Sequence, residues 1–389
     1  MSIRFDYVTV LNPTSVLKNQ SVIVGDTGTI DYVGPMTSAP AVSNKRLDLR
    51  NLMLAPGLID IHVHGGHGVT FGNLDSMADD LQAYSSWVVE NGVTGFLATI
   101  TGPSAEELEA MIAAVVAEFE KGLPGAQPLG IHLEGPFMNV EMKGAQNPKW
   151  IRNPNPDEAI RYLKAGKGWI KQMTMAPELP QAEKVAAIFR EAGVTVAIGH
   201  SSADYDTAAQ ALKGHWTHVT HTFNAQTGLH HRNPGIVGAV MGSDEITAEL
   251  IADLIHVHPG AIKALVRALG TDRIVLVTDA MEAAGLSDGE YQLLGAKVTV
   301  KDGKATQEDG TIAGSSTTLN RCVRNMNTAV GYSLPEALQM ATLNPARVIG
   351  EAGRLGSIQT GKQADLIVID AGMNISLTMV KGKIVHSRF

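Results

Sequence analysis

Histidines and carboxylates close a series of apolar runs along this chain. One run ends His62-Val63-His64, another His132-Leu133-Glu134, a third Gly199-His200; a fourth carries His218 and His221, and the last ends on Asp279. On a strand, residues i and i+2 point to the same side, so His62 and His64 can turn two imidazoles toward one point. With a carboxylate and further histidines they make a nitrogen and oxygen donor set suited to Zn²⁺ or Fe²⁺. A lone His-x-His is a weak signal, and 13 histidines in the chain make coincidence expected. His67, His215, His218 and His386 read as structural or surface residues. The joint placement of His62, His64, Glu134, His200, His221 and Asp279 at five run ends carries the metal reading. Asp279 closes Ile274-Val275-Leu276-Val277-Thr278-Asp279. Its plain role would be to cap a following helix. Its chemical role would be general base toward a metal-activated water, then proton donor to a leaving amine.

Those residues need elements that bring distant run ends together. The runs 58–64, 95–100, 129–134, 170–176, 195–200, 218–224, 246–256 and 274–279 alternate with amphipathic stretches such as 105–119, 182–192 and 261–269. Alternating strand and helix patterns mark a parallel α/β domain. Eight units favour a (β/α)₈ TIM barrel, whose C-terminal strand ends share one face. A doubly wound open sheet is the rival, and no Gly-rich dinucleotide loop follows the first strand to support it. Short strands at 5–11, 21–24, 29–33 and 47–49, and again at 364–369 and 378–386, predict a small β-sandwich assembled from both termini. The expected division is 1–54 with 350–389 for that unit and 55–349 for the barrel. A Gly-rich, hairpin-like insert spans 286–314, and helices are expected near 317–330 and 335–349.

The formal net charge of −8 argues against a nucleic-acid partner, which needs a basic footprint. It leaves room for a small anionic substrate. His230, His231 and Arg232 form a local cationic cluster, and an arginine fork suits phosphate; a solvated loop or subunit contact explains the cluster equally well. One cysteine, Cys322, permits no internal disulfide. No signal-like or membrane-spanning apolar run is apparent, so no membrane partner is expected and the expected location is cytoplasmic.

At these same residues the chain resembles the amidohydrolase superfamily and, within it, the N-acetylglucosamine-6-phosphate deacetylase family. The resemblance runs through Pro56-Gly57-Leu58-Ile59-Asp60-Ile61-His62-Val63-His64-Gly65, Leu133-Glu134-Gly135-Pro136-Phe137, Gly199-His200-Ser201 and His221-Thr222-Phe223-Asn224-Ala225. It continues in Gly228-Leu229-His230-His231-Arg232, Ala252-Asp253, Val277-Thr278-Asp279-Ala280, Ala313-Gly314-Ser315 and Thr342-Leu343-Asn344-Pro345-Ala346. His-x-His marks only the superfamily; the Leu-Glu-Gly-Pro-Phe and His-His-Arg segments are more specific. The resemblance implies metal-dependent removal of acetyl from an amino-sugar phosphate. It implies one metal site at Glu134, His200 and His221, and a second at His62 and His64 with Glu134 bridging, hence one or two divalent ions (Zn or Fe) per subunit. It implies Asp279 as acid/base. Ala145, Gln146, Asn224, Ala225, His256, Ile312, Ala313 and Gly314 would contact substrate. Arg232 would reach the phosphate in the neighbouring subunit of a homodimer. Some family members carry histidine where Gln146 stands; glutamine can bond a sugar hydroxyl but cannot become a cation. A cyclic amidase of the same superfamily is a rival, but Glu134 stands where those enzymes carry a carboxylated lysine. A deaminase gives no reason for a phosphate-side arginine. A barrel retained only for binding is a rival of another class, and the intact set of ligand-type residues counts against it.

Overall fold

The computed structural model describes residues 2–41 and 45–389. Eight strands form one parallel sheet: β1 (Leu58–Val63), β2 (Val93–Ile100), β3 (Gln127–Glu134), β4 (Ile170–Met175), β5 (Thr195–Ile198), β6 (Trp216–Val219), β7 (Thr247–Ile251) and β8 (Ile274–Val277). Each pairs with the next in sequence order. The last joins the first just beyond its end: the Asp279 amide donates to the His62 carbonyl at 2.9 Å, and the His64 amide to the Ala280 carbonyl at 2.9 Å. The near-closed sheet is the TIM barrel expected from the alternation, and the open-sheet rival falls. The strands are buried along almost their whole length because a parallel sheet is covered on both faces.

A helix follows each strand, after β8 only once the insert has intervened, and local chemistry sets several of the helix starts. Ser104 caps Ala105–Lys121 by accepting from the Glu107 amide at 3.1 Å. Asn155 caps Pro156–Gly166 through the Asp157 amide, and Asp204 caps Tyr205–Leu212 through the Thr207 amide. Each satisfies an amide that the first helical turn leaves free. The helix expected at 261–269 begins earlier, at Pro259, where proline's missing amide costs nothing. The helix expected over 335–349 is instead two, Leu334–Ala341 and Leu343–Val348. Pro345 cannot donate to the carbonyl four residues back, so a continuous helix would lose a bond and meet a ring clash there. Asn344, beside the break, donates to the carbonyls of Thr271 and Ile274 at 2.8 and 2.6 Å and ties the second helix to the base of β8.

Both termini build the second sheet. Its order runs Lys383–Ser387, Ile375–Val380, Leu366–Ile369, Met53–Pro56, Ile3–Asn12, Ser15–Val24, Ile30–Pro35, with Lys45–Asp48 beside Ile3–Asn12. Its core includes Phe5, Val10, Val22, Leu54, Leu366, Val368 and Met379. The strand Met53–Pro56 pairs with Ile369–Leu366 and escaped the sequence pattern; the expected boundary after residue 54 falls inside it. The C-terminal run expected at 378–386 is a hairpin, turning at Lys381 and Gly382, both with positive φ. The insert is a three-stranded antiparallel sheet of Gly289–Leu293, Ala296–Lys301 and Lys304–Thr306. No helix among the described residues is long and apolar enough to cross a membrane.

The seam between the two sheets holds Asp365, buried and accepting from Gln127 on β3, from Gln363 at 2.9 Å and from the Lys381 amide at 2.7 Å. Burial pushes its pKa up to about 6 against those hydrogen bonds. A folded-state pKa above the unfolded value means the ionised group opposes folding at neutral pH, and that cost is relieved progressively as pH falls from about 6 toward the unfolded value. Wild type should therefore gain about 1 kcal/mol on Asp365→Asn between pH 7 and pH 5. Urea unfolding of both proteins across that range measures it; a stability difference that stays flat with pH would refute the assignment.

Candidate metal and catalytic site

The strand ends converge on a cavity of about 190 Å³. At its floor the Glu134 carboxylate, ending β3, faces four imidazoles. Its Oε1 lies 3.1 Å from His200 Nε2, 3.2 Å from His221 Nε2 and 3.4 Å from His62 Nε2. Its Oε2 lies 3.1 Å from His64 Nε2 and accepts from Gln146 Nε2 at 2.7 Å. Asp279 Oδ1 stands 3.3 Å from His64 Nε2 and 3.5 Å from His62 Nε2. Two groups of ligand-type atoms result, Glu134 with His200 and His221, and His62 with His64 and Asp279. The second joins Asp279 to the histidine pair expected from the sequence.

Three of these residues hold strained backbone. His200, His221 and Asp279 have φ of 47°, 26° and 48°, in a region where a side chain costs about 1–3 kcal/mol. Hydrogen bonds hold them there: the Asn139 amide to the His200 carbonyl at 2.9 Å, the His221 amide to Glu249 Oε2 at 3.0 Å, and the Ser315 amide to the Asp279 carbonyl at 2.8 Å. No helix starts directly after Asp279, so it caps none.

The ring nitrogens are committed in a way that suits a cation. His200 Nδ1 faces the Met142 carbonyl at 2.8 Å, so Nδ1 donates and Nε2 keeps its lone pair toward Glu134. His200 Nε2 and His221 Nε2 stand 3.1 Å apart, and His62 Nε2 is buried without a hydrogen-bond partner. Ligand atoms about 2.0–2.1 Å from a tetrahedral zinc stand roughly 3.3 Å from one another, close to the 3.1–3.2 Å separations around Glu134 Oε1. The residues therefore fit a divalent ion.

Electrostatics points the same way. Burial alone would lower the pKa of His64, yet bonds to Asp279 and Glu134 outweigh it and raise it to about 9. Burial also works against His62, and the charges of Glu249, Asp279 and Glu134 raise it well above the usual imidazole value. The carboxyl of Glu134 is pushed up by burial but held well below its usual range by the His62 charge and by bonds from His200 and His221. Asp279 is likewise held low, burial being outweighed by His62 and His64. This cluster of carboxylates concentrates negative potential at the floor of the cavity.

Ala145, Gln146, Asn224, Ala225, His256, Ile312 and Gly314 line the same cavity as His64, Glu134, His200, His221 and Asp279. His256 Nδ1 bonds Asp253 Oδ2 at 2.7 Å, and burial is outweighed by that carboxylate, so the imidazole pKa is raised. Ala313 is not brought to the cavity; its side chain packs in the core of the insert with Met281 and Val298. Arg232 is exposed on its loop, donates to His231 at 2.7 Å and does not line this chain's cavity. Among the histidines read as structural or surface, His67 stacks on Trp87, His215 pairs with Glu183, and His386 is half-buried. His218 is fully buried against Glu249 and Thr247.

Glu249 went unread in the sequence, although a lone carboxylate inside the apolar run 246–251 must find partners when buried. Leu293, Leu294 and Thr311, which complete the cavity wall from the insert, carried no signal at all. An aliphatic residue at a hairpin tip reads as loop until the hairpin is placed.

The amidohydrolase family model matches residues 53–385. N-acetylglucosamine-6-phosphate deacetylase of Bacillus subtilis is 35% identical over 380 residues, covering 97% of this chain and 95% of that one. N-acetylgalactosamine-6-phosphate deacetylase of Escherichia coli O157:H7 is 35% identical over 332 residues, covering 85% and 87%. The crystal structure of N-acetylglucosamine-6-phosphate deacetylase from Pasteurella multocida superposes with a TM-score of 0.92 at 31% identity over 99% of each chain. The barrel, the strand-end residues and these matches together place the chain in the amidohydrolase family.

Proposed function

We propose that this chain deacetylates N-acetylglucosamine 6-phosphate, releasing acetate and glucosamine 6-phosphate, with one or two divalent ions (zinc or ferrous iron) per subunit. The observation that carries the reading is the Glu134 carboxylate, shared by His200 and His221 and facing His62 and His64, with Asp279 at its edge and a cavity of about 190 Å³ above. The deacetylase relatives support the substrate class.

Glu134, His200 and His221 would hold one ion, and His62 and His64 a second. When bound, the metal supplies Lewis acidity, acidifying a water and polarising the acyl oxygen. Asp279, whose environment keeps it ionised at neutral pH, takes a proton as water oxygen bonds the acetyl carbon. It then gives that proton to the sugar nitrogen as the carbon–nitrogen bond breaks. Gln146, His256, Asn224 and the backbone near Ala225 orient the sugar, while Ile312 and Gly314 form a lid segment over it. Arg232 is assigned to the phosphate of the neighbouring subunit's substrate in a cytoplasmic homodimer.

Because Arg232 is exposed and its partner is the adjacent His231, Arg232→Ala should leave the melting temperature and kcat nearly unchanged. It should raise KM by about 10- to 100-fold, the worth of a charge-assisted bond of about 1.5–3 kcal/mol. Steady-state kinetics on the phosphorylated sugar reads this, and an unaltered KM would take Arg232 out of phosphate recognition.

The deacetylase reading is tested by acetate release from purified protein, with and without prior chelation. Substrates are N-acetylglucosamine 6-phosphate, its galacto epimer and unphosphorylated N-acetylglucosamine. The epimer belongs in the set because its deacetylase is as similar as the others. Chelator-sensitive release from the phosphorylated gluco substrate supports the proposal; faster release from the galacto epimer moves it to that sugar, and none from any ends it.

A further inference from the structure

Glu249 lies on β7 beneath the cavity floor, fully buried. It does not line the cavity and so has no route to substrate. A buried carboxylate is expensive unless fully bonded, and this one takes four hydrogen bonds. Oε1 accepts from Gln172 Nε2 at 2.6 Å and His218 Nε2 at 3.3 Å. Oε2 accepts from His62 Nδ1 at 2.8 Å and from the His221 amide at 3.0 Å. One oxygen thus grips a ring from one ligand-type group and the backbone of a residue from the other.

We infer that Glu249 is a positioning residue that readies both groups for metal, through the side-chain proton of His62 and the backbone of His221. The inference rests on the proposed metal-dependent function. An ionised carboxylate can only accept, so the proton of neutral His62 resides on Nδ1. In that tautomer the Nε2 lone pair faces Glu134 Oε1 at 3.4 Å and Asp279 Oδ1 at 3.5 Å, the side on which a divalent ion would be held. The neighbouring imidazole cannot substitute for Glu249, since His132 meets His62 edge-on and its own nitrogens are engaged by Thr99 and Thr174. The bond to the His221 amide holds a residue whose φ of 26° is unfavourable for any side chain. Outer partners of this kind orient ligands and fix their tautomer, and their loss weakens metal binding by about 10- to 100-fold.

Two variants separate this role from mere packing. Glu249→Ala removes all four bonds. Glu249→Gln keeps the shape and an acceptor for His62 and His221, and its new amide N–H can be met by Gln172 Oε1, which has no partner. Metal-stripped wild type and variants are titrated with Zn²⁺ against a competing chelator, with melting temperatures recorded alongside. Zinc affinity should fall about 10- to 100-fold in Glu249→Ala and recover most of the way in Glu249→Gln. In zinc-loaded wild type, ¹⁵N-imidazole spectra should find the His62 proton on Nδ1. Wild-type affinity in Glu249→Ala, or a His62 proton on Nε2, overturns the inference while the metal-dependent reading stands. A wild type that binds no zinc overturns that reading and this inference with it. Should Glu249→Ala fail to fold, the proton position in wild type decides.

Discussion

Asp279→Asn should lower kcat by about 10²- to 10⁴-fold, the usual worth of a positioned acid/base, while the protein stays folded and retains metal. Asparagine has nearly the same shape, so the backbone bonds that hold position 279, from its own amide to His62 and from Ser315 to its carbonyl, are kept. It has no basic oxygen at neutral pH, so it cannot take the proton from water or return it to the amine. Glu134, His200 and His221 do not depend on Asp279 for their mutual contacts, so at least one ion should remain. KM should change little, because the loss falls on the transition state rather than on sugar binding. Single-turnover acetate release beside metal analysis makes the measurement. If turnover is retained with metal in place, Asp279 is not the acid/base and the proton must travel by another group in the cavity, His256 being the nearest in kind.

Glu134→Ala should have the larger effect on the metal. Both carboxylate oxygens are engaged, Oε1 with His200, His221 and His62 and Oε2 with His64 and Gln146. Removing it takes a carboxylate oxygen from one group and the carboxylate contact from His62 and His64 in the other. Affinity should fall by more than about 100-fold, beyond the range seen when only an outer partner is lost, and turnover should vanish with it. The variant should also lose the negative charge that helps keep His64 protonated at neutral pH in the metal-free protein, so its imidazole pKa should fall from about 9. Metal content after dialysis against chelator and NMR titration of His64 give two independent readings. A variant that still holds one ion as tightly as wild type would show that the ion sits elsewhere.

The barrel and the gathering of ligand-type residues at its floor are legible in the order of residues alone. Strand and helix periods are local, so eight alternations can be counted, and a polar residue at the end of an apolar run stands out against it. Position at a run end is enough to single out His62, His64, Glu134, His200, His221 and Asp279, because a parallel barrel sends all such ends to one face. Contacts assembled from the side or from below exist only once the chain has folded. Glu249 sits in mid-strand, where its four partners come from β1, β4 and from β6 and its end. Leu293 and Leu294 reach the cavity because a hairpin folds back over it. Met53–Pro56 is a strand because residues 366–369 arrive from the far end of the chain to pair with it. In each case the stabilising partner lies far away in sequence, and a pattern read within a short window cannot contain it. For Asp279 the sequence offers both a helix cap and an acid/base role, and closure of β8 against β1 turns its carboxylate toward His62 and His64.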